Sequence, residues 1–354
     1  MRLLAILLAA VACTPPPQMP SPPNAPVAIP LTGAVGRYVG RFDVGGESFG
    51  LAVDTGSELL AVASPACAAC GRDGTTAYYK PGRHATNLHR QARGAYDEGT
   101  FGWTGDAYID TVGVDQLGAP ITMFAMTDES SIVVIGETIH ADGIIGLAGS
   151  GATSWLDALA RTGVPDVFAM HKCASSGTLW LGGYDGAGSA QYVASDSSYN
   201  VALHGIDVGS AHVELPPETV AAVDSGAAGL VVPQATFDAI TAELDRDAMF
   251  RAVAGGSAAA WFASSSCVPL EPAFLRFLPP LTIELDNGLT MTVPASESYA
   301  VPMPPDRVCP GLDVRDNYSS IGDLAMRHGT VVFDRGAKRI GFAPPAACPT
   351  PDND

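Results

Sequence analysis

Basic residues are scarce in this chain. Its 354 residues carry 19 Lys and Arg against 37 Asp and Glu, a formal charge of −18. Without a basic patch to release counterions from a phosphate backbone, nucleic acid is not an expected partner. Self-repulsion among so many carboxylates relaxes when they protonate, so a fold of this composition should tolerate moderately acidic surroundings. The seven histidines are scattered, and no set of His and carboxylate ligands clusters in sequence, which leaves a zinc hydrolase without its metal site. Residues such as His84, His89, His140 and His328 read as surface positions, and neither metal nor cofactor is expected. Long apolar runs are also missing beyond Leu3 to Val11, which is too short and too near the start to be a stable membrane span.

That opening run, following Met1-Arg2, reads as an export signal over residues 1–12. It closes on Ala10-Val11-Ala12-Cys13, which is similar to a lipoprotein cleavage box, so Cys13 is a candidate for lipidation and membrane attachment. The alternative is ordinary cleavage near Ala12. The Pro-rich stretch 13–30 would then act as a semi-rigid tether, placing the protein in the cell envelope or outside the cell. Setting Cys13 aside, six of the seven cysteines can pair, and an exported chain meets an oxidising compartment. Cys67-Ala68-Ala69-Cys70 has no second pair at zinc-finger spacing and no βαβ surroundings, and reads as a structural disulfide.

A hydrophobic fraction of 47% is enough to fill two cores, and 39 glycines and 28 prolines cut the chain into short segments. The reading is mainly β. Alternation in Tyr38 to Val44 and Phe49 to Val53, broken by Gly45-Gly46, predicts a hairpin delivering Asp54 at a strand end. A second hairpin turns through Tyr96-Asp97-Glu98-Gly99-Thr100 and returns along Trp103 to Val114, and a last one joins Val331 to Arg335 with Arg339 to Ala343. Helical spacing marks Ser154 to Thr162, and Gln234 to Val253 through Phe237, Ile240, Leu244, Met249 and Val253. After Cys348 the tail, 349–354, is polar.

One short pattern occurs twice. Ala52-Val53-Asp54-Thr55-Gly56-Ser57 is echoed by Ala222-Val223-Asp224-Ser225-Gly226-Ala227, each an apolar run delivering an aspartate into a tight Gly turn. The echo extends to Asp142-Gly143-Ile144-Ile145-Gly146 in the first half and Ser319-Ser320-Ile321-Gly322-Asp323 in the second. This points to a duplicated lobe, with residues 31–190 forming one and 191–348 the other, and to two carboxylates sharing one acid/base site.

Six motifs in order resemble the pepsin-like aspartic proteases over roughly residues 36–348. They are Asp54-Thr55-Gly56-Ser57, Tyr96 with Gly99-Thr100, Asp142 to Ala148, Leu181-Gly182-Gly183-Tyr184-Asp185, Asp224-Ser225-Gly226, and Val332-Phe333-Asp334-Arg335 with Gly341-Phe342-Ala343. The resemblance implies a bilobal β fold with a cleft between pseudo-twofold lobes, and an aspartic endopeptidase acting as a monomer on extended polypeptides at acidic to mildly acidic pH. Asp54 and Asp224 would activate one water, Thr55 and Ser225 would bond across the junction, and Gly56 and Gly226 would leave room for the turns. Tyr96, Gly99 and Thr100 would form a flap over the substrate. The closing segment resembles β-secretase, which implies the pairs Cys173–Cys348, Cys67–Cys70 and Cys267–Cys309.

Three departures qualify the resemblance. Ala61 stands where the family usually has Trp, so the usual indole partner of Tyr96 is missing, and Trp103 is the candidate to replace it. Ala227 stands where the first half has Ser57, removing a hydroxyl that favours the charged carboxylate; the expectation is activity reaching less acidic pH. No basic pro-segment lies between Cys13 and Gly36, so synthesis without an inhibitory pro-piece is expected. The competing reading is a catalytically silent binding protein on the same scaffold.

Overall fold

The computed structural model describes residues 25–70, 75–96, 101–130, 141–264, 266–303 and 306–348. The expected signal segment, Cys13, most of the tether, Gly99, Thr100, His140 and the tail 349–354 lie outside these residues. Strands dominate. One sheet has thirteen of them, a second has eight, and a third has three.

The duplicated pattern becomes duplicated topology. Strand Glu47–Asp54 lies parallel to Gly143–Gly146, with Val53 opposite Ile145 and Asp54 opposite Gly146, and Leu60–Ala63 runs antiparallel to the same short strand. In the second half Val220–Val223 lies parallel to Ser320–Ile321, with Val223 opposite Ile321, while Leu230–Val232 runs antiparallel to it. In each half the chain that leaves the aspartate loops back over the partner glycine. A Cβ on Gly146 would sit 2.5 Å from the Ser57 carbonyl oxygen, and one on Gly322 would sit 2.0 Å from that of Gly229. No side chain fits there, which explains the glycine that follows the apolar residue in both echoes.

The lobes meet in a shared sheet. Strands Gln191–Ala194, Arg339–Ala343 and Thr330–Asp334 continue through Val167–Lys172 and Ser176–Leu181 into Val27–Ala34, so the closing hairpin pairs with strands from the first half of the chain. Burial is the reason. Val331, Val332, Phe333 and Ile340 are apolar and fully buried, and Phe333 stacks on Phe168 with ring centroids 4.4 Å apart. Arg335 fixes the end of the hairpin by bonding to Asp166, Asp157 and the Gly149 carbonyl, all in the first half of the chain.

Helix Trp155–Arg161 begins at Ser154, whose hydroxyl accepts the Asp157 amide, and it buries Trp155 against Phe42 at 5.5 Å. The single helix expected over Gln234 to Val253 is two, Gln234–Leu244 and Ala248–Ala254. Asp247 breaks it: its backbone is extended and its carboxylate accepts the Phe250 amide at 2.7 Å, so it caps a new helix rather than continuing the old one. From the end of the first helix, the Asp245 carboxylate reaches the start of the following one, Ala258–Ser264, and accepts the Ala258 amide.

All six cysteines after Cys13 are paired, as Cys67–Cys70, Cys173–Cys348 and Cys267–Cys309. The three disulfides fit an oxidising compartment, and among the described residues no helix is long and apolar enough to cross a membrane. Cys173–Cys348 closes a loop with a sequence separation of 175, whereas Cys67–Cys70 spans 3. Loop entropy assigns about 5 kcal/mol to the first and about 2 kcal/mol to the second. Replacing Cys173 and Cys348 by Ser is therefore expected to lower the denaturant midpoint much more than replacing Cys67 and Cys70; equal losses in equilibrium unfolding would contradict this.

Candidate active site

Asp54 and Asp224 come to the junction of the two lobes from equivalent strand ends. Each carboxylate is first held by its own turn: Asp54 Oδ1 accepts the Gly56 amide at 2.8 Å, and Asp224 Oδ1 accepts the Gly226 amide at 2.8 Å. The turns then cross. A Cβ on Gly56 would lie 2.5 Å from the Asp224 carboxyl, and one on Gly226 would lie 2.5 Å from Asp54 Oδ1. Each loop therefore needs glycine so that the opposite carboxyl can approach.

The residues next to the aspartates lock this arrangement. The Thr55 amide donates to Ser225 Oγ at 2.9 Å and the Ser225 amide donates to Thr55 Oγ1 at 2.8 Å. Their hydroxyls then donate across the seam, Thr55 to the Val223 carbonyl at 2.7 Å and Ser225 to that of Val53 at 2.9 Å. Thr55 and Ser225 are almost fully buried, so loss of either hydroxyl strands a backbone amide at a cost of about 1–3 kcal/mol.

A buried ion pair lies under the second loop. Lys172 Nζ donates to the Ser225 carbonyl at 2.9 Å and pairs with Asp323 Oδ1 at 2.8 Å, both residues being essentially inaccessible. Asp323 also accepts the Gly36 amide and an Arg327 N–H, so one carboxylate ties three parts of the chain beneath the site. Burial lowers the Lys172 pKa, and the Asp323 charge opposes that. No local pattern in the sequence marks Lys172 for this position, and Asp323 stands there only as the residue after Gly322.

Tyr96 reaches the site from strand Thr86–Tyr96. Its hydroxyl accepts from Trp103 Nε1 at 3.1 Å, so the indole partner that Ala61 cannot supply comes from the returning strand Phe101–Val114. Trp103 and Ala61 share one buried cluster with Phe124 and Ile144. Gly94 makes the approach possible, since a Cβ there would lie 2.4 Å from Trp103 Nε1. Burial, and then the Asp54 charge, raise the Tyr96 pKa to about 12. The Ser57 hydroxyl favours the ionised form of both Tyr96 and Asp54, though it makes no hydrogen bond of regular geometry among the described residues.

One contact had no counterpart in the sequence reading. The Tyr318 hydroxyl donates to Asp224 Oδ2 at 2.7 Å. Asp224, which lacks a hydroxyl at Ala227, thus receives one from elsewhere, together with the Ala227 amide at 3.3 Å. This removes the basis for expecting an under-donated second carboxylate. The only local signal was a tyrosine directly preceding Ser319-Ser320-Ile321-Gly322.

Among the other predicted positions, His84, His89 and His328 are exposed as expected. Asp207 and His212, neighbours in sequence, and the distant Glu284 do gather on adjacent strands with ligand-type atoms within 4.8 Å of one another. His212 is already paired with Asp207 at 2.8 Å, a bond that raises its pKa.

Burial, followed by the charge of Asp224, raises the Asp54 pKa from 3.8 to about 7. Two carboxyls so close cannot both ionise easily and their titration belongs to the pair; pepsin is the standard example of such a dyad. The arrangement offers one proton donor and one acceptor facing the same space.

Residues 37–345 match the model of the eukaryotic aspartyl protease family. The chain belongs to that family. It is 26% identical to an "Aspartic protease" of Phaffia rhodozyma over 329 residues, covering 88% of this chain and 77% of the relative. It is 25% identical to "Pepsin A" of Gallus gallus over 333 residues, covering 87% and 84%. The chain is a peptide hydrolase of the aspartic type on a pepsin-like bilobal β fold.

Asp54 binds its proton more tightly in the folded than in the unfolded chain. Its contribution to stability is thus full below the ordinary value of 3.8 and is lost as pH rises to about 7. Unfolding free energy is expected to fall across this window, and Asp54→Asn should flatten the slope. Identical slopes in urea titrations of the two proteins would refute the assignment.

Proposed function

We propose that this protein is an aspartic endopeptidase that hydrolyses extended polypeptides with a water held between Asp54 and Asp224. The reading rests on the reciprocal approach of the two loops, in which each glycine makes room for the opposite carboxyl. Burial favours the proton on Asp54, leaving Asp224 as the base. Asp224 takes a proton from the water as it attacks the scissile carbonyl carbon, and Asp54 gives its proton to the carbonyl oxygen, forming a gem-diol. Asp54 then recovers a proton from a diol hydroxyl, Asp224 protonates the departing nitrogen, and the C–N bond breaks. The dyad returns to its starting state without a covalent intermediate.

Tyr96, held by Trp103, would stand on the hairpin that closes over the substrate and limits water access. Retention of an indole partner for Tyr96 and of a hydroxyl donor for Asp224 by other routes favours the enzyme over a silent binding protein. Export, a lipid on Cys13, the tether and a monomeric state are part of the proposal.

The purified chain, incubated with a denatured protein across pH 3–8 with and without a hydroxyl-bearing peptide isostere, is expected to cleave at acidic to mildly acidic pH. Activity should decline as Asp54 loses its proton near pH 7. Asp54→Asn and Asp224→Asn should each lower kcat by about 10²–10⁴-fold. Tight binding of the isostere with no cleavage at any pH would favour the binding protein; cleavage surviving both substitutions would place the chemistry elsewhere. Trp103→Phe keeps the ring but loses the bond to Tyr96, and should lower kcat/KM by about 5- to 10-fold, the value of one hydrogen bond. An unchanged kcat/KM in that variant would remove Trp103 from the flap.

A further inference from the structure

We infer that Tyr318 is a positioning residue of the dyad, its phenol holding Asp224 through Oδ2 as the charged member in place of the hydroxyl that Ala227 does not provide. The inference rests on the proteolytic reading above. Asp224 Oδ1 is occupied by the Gly226 and Ala227 amides, so Oδ2 is the oxygen left for a side-chain donor, and Tyr318 meets it at 2.7 Å. Asp54 has Ser57 in the corresponding position of its own turn. The two carboxyls are thus served asymmetrically: a tyrosine from a separate loop donates to Asp224, while the serine in the turn of Asp54 makes no hydrogen bond of regular geometry among the described residues.

Among the described residues, the charged and titratable groups facing Asp224 are Asp54 across the seam, Lys172 beneath the Ser225 carbonyl, and Tyr318. Lys172 acts through the buried loop with its ammonium already committed to Asp323 and the Ser225 carbonyl, so beside the partner carboxyl of Asp54 it is Tyr318 that meets Asp224 as a side-chain donor. Burial, and then the Asp224 charge, hold the phenol pKa far above its ordinary value, so it stays a donor throughout the working range. A hydroxyl donated to a carboxylate favours the ionised form. The phenol thereby stabilises negative charge on the acceptor that must take the proton of water. About a third of the tyrosine, 37%, is open to solvent, so Tyr318→Phe removes the hydroxyl from a half-open position and leaves the core packing intact.

The test compares pH profiles of kcat/KM for the native chain, Tyr318→Phe, Ala227→Ser and the double variant, with thermal unfolding as the check on folding. Tyr318→Phe should move the acidic limb up by about one pH unit, so that kcat/KM measured below the limb falls about tenfold while values near the optimum change little. The double variant should move the limb back, because a serine hydroxyl at 227 restores a donor in the turn. Ala227→Ser alone should leave the limb close to native. An unshifted limb in Tyr318→Phe, or a loss uniform across pH that Ala227→Ser does not rescue, would overturn the role of Tyr318 while leaving the dyad in place. A native chain that cleaves nothing would overturn the proteolytic reading and this inference with it.

Discussion

Two acidic groups are forced together at one seam, and the rest of the molecule is organised to make that possible. Isolated carboxylates repel, and burying them adds desolvation to the repulsion. The structure offsets this with four reciprocal bonds between Thr55, Ser225 and the strands carrying Asp54 and Asp224. Because each hydroxyl serves the backbone of the opposite lobe, neither aspartate can be placed without the other.

The scaffold beneath the seam supports the same geometry. The sheet built from both halves fixes the lobes relative to one another, and the stacked pair Phe168 and Phe333 lies on its two paired strands. Lys172 extends that support upward: it stands at the end of the same strand and holds the carbonyl of the residue next to Asp224. Removing either partner of the Lys172 and Asp323 pair would leave a buried charge unpaired, which costs far more than an exposed ion pair contributes. The site is therefore mounted on polar contacts that are almost fully buried, while the strand carrying Tyr96 is mostly exposed along its length.

Much of this was legible in sequence because it is written locally. Strand alternation, the twin Asp-Gly turns and the closing hairpin depend on near neighbours, and the structure forms each of them. The resemblance, rather than spacing, supplied the disulfide pairing. What was not legible depends on contacts between distant segments. Tyr318 carries no motif and acquires a role only because folding sets its hydroxyl against Asp224. Asp247 looks like an ordinary helical residue until its carboxylate is seen to cap the next helix. The shared sheet could not be inferred from a duplicated pattern, since duplication suggests two separate halves whereas burial of the last hairpin joins them.

The central claim is that the carboxyls of Asp54 and Asp224 share one proton. It is tested most directly by a carboxyl-carbon NMR titration of the native chain beside Asp224→Asn. The account predicts that the Asp54 carboxyl of the native protein titrates far above the ordinary carboxyl range, and that its midpoint falls once the neighbouring charge is removed. An Asp54 midpoint that is ordinary in the native chain, or that is unchanged in Asp224→Asn, would contradict it.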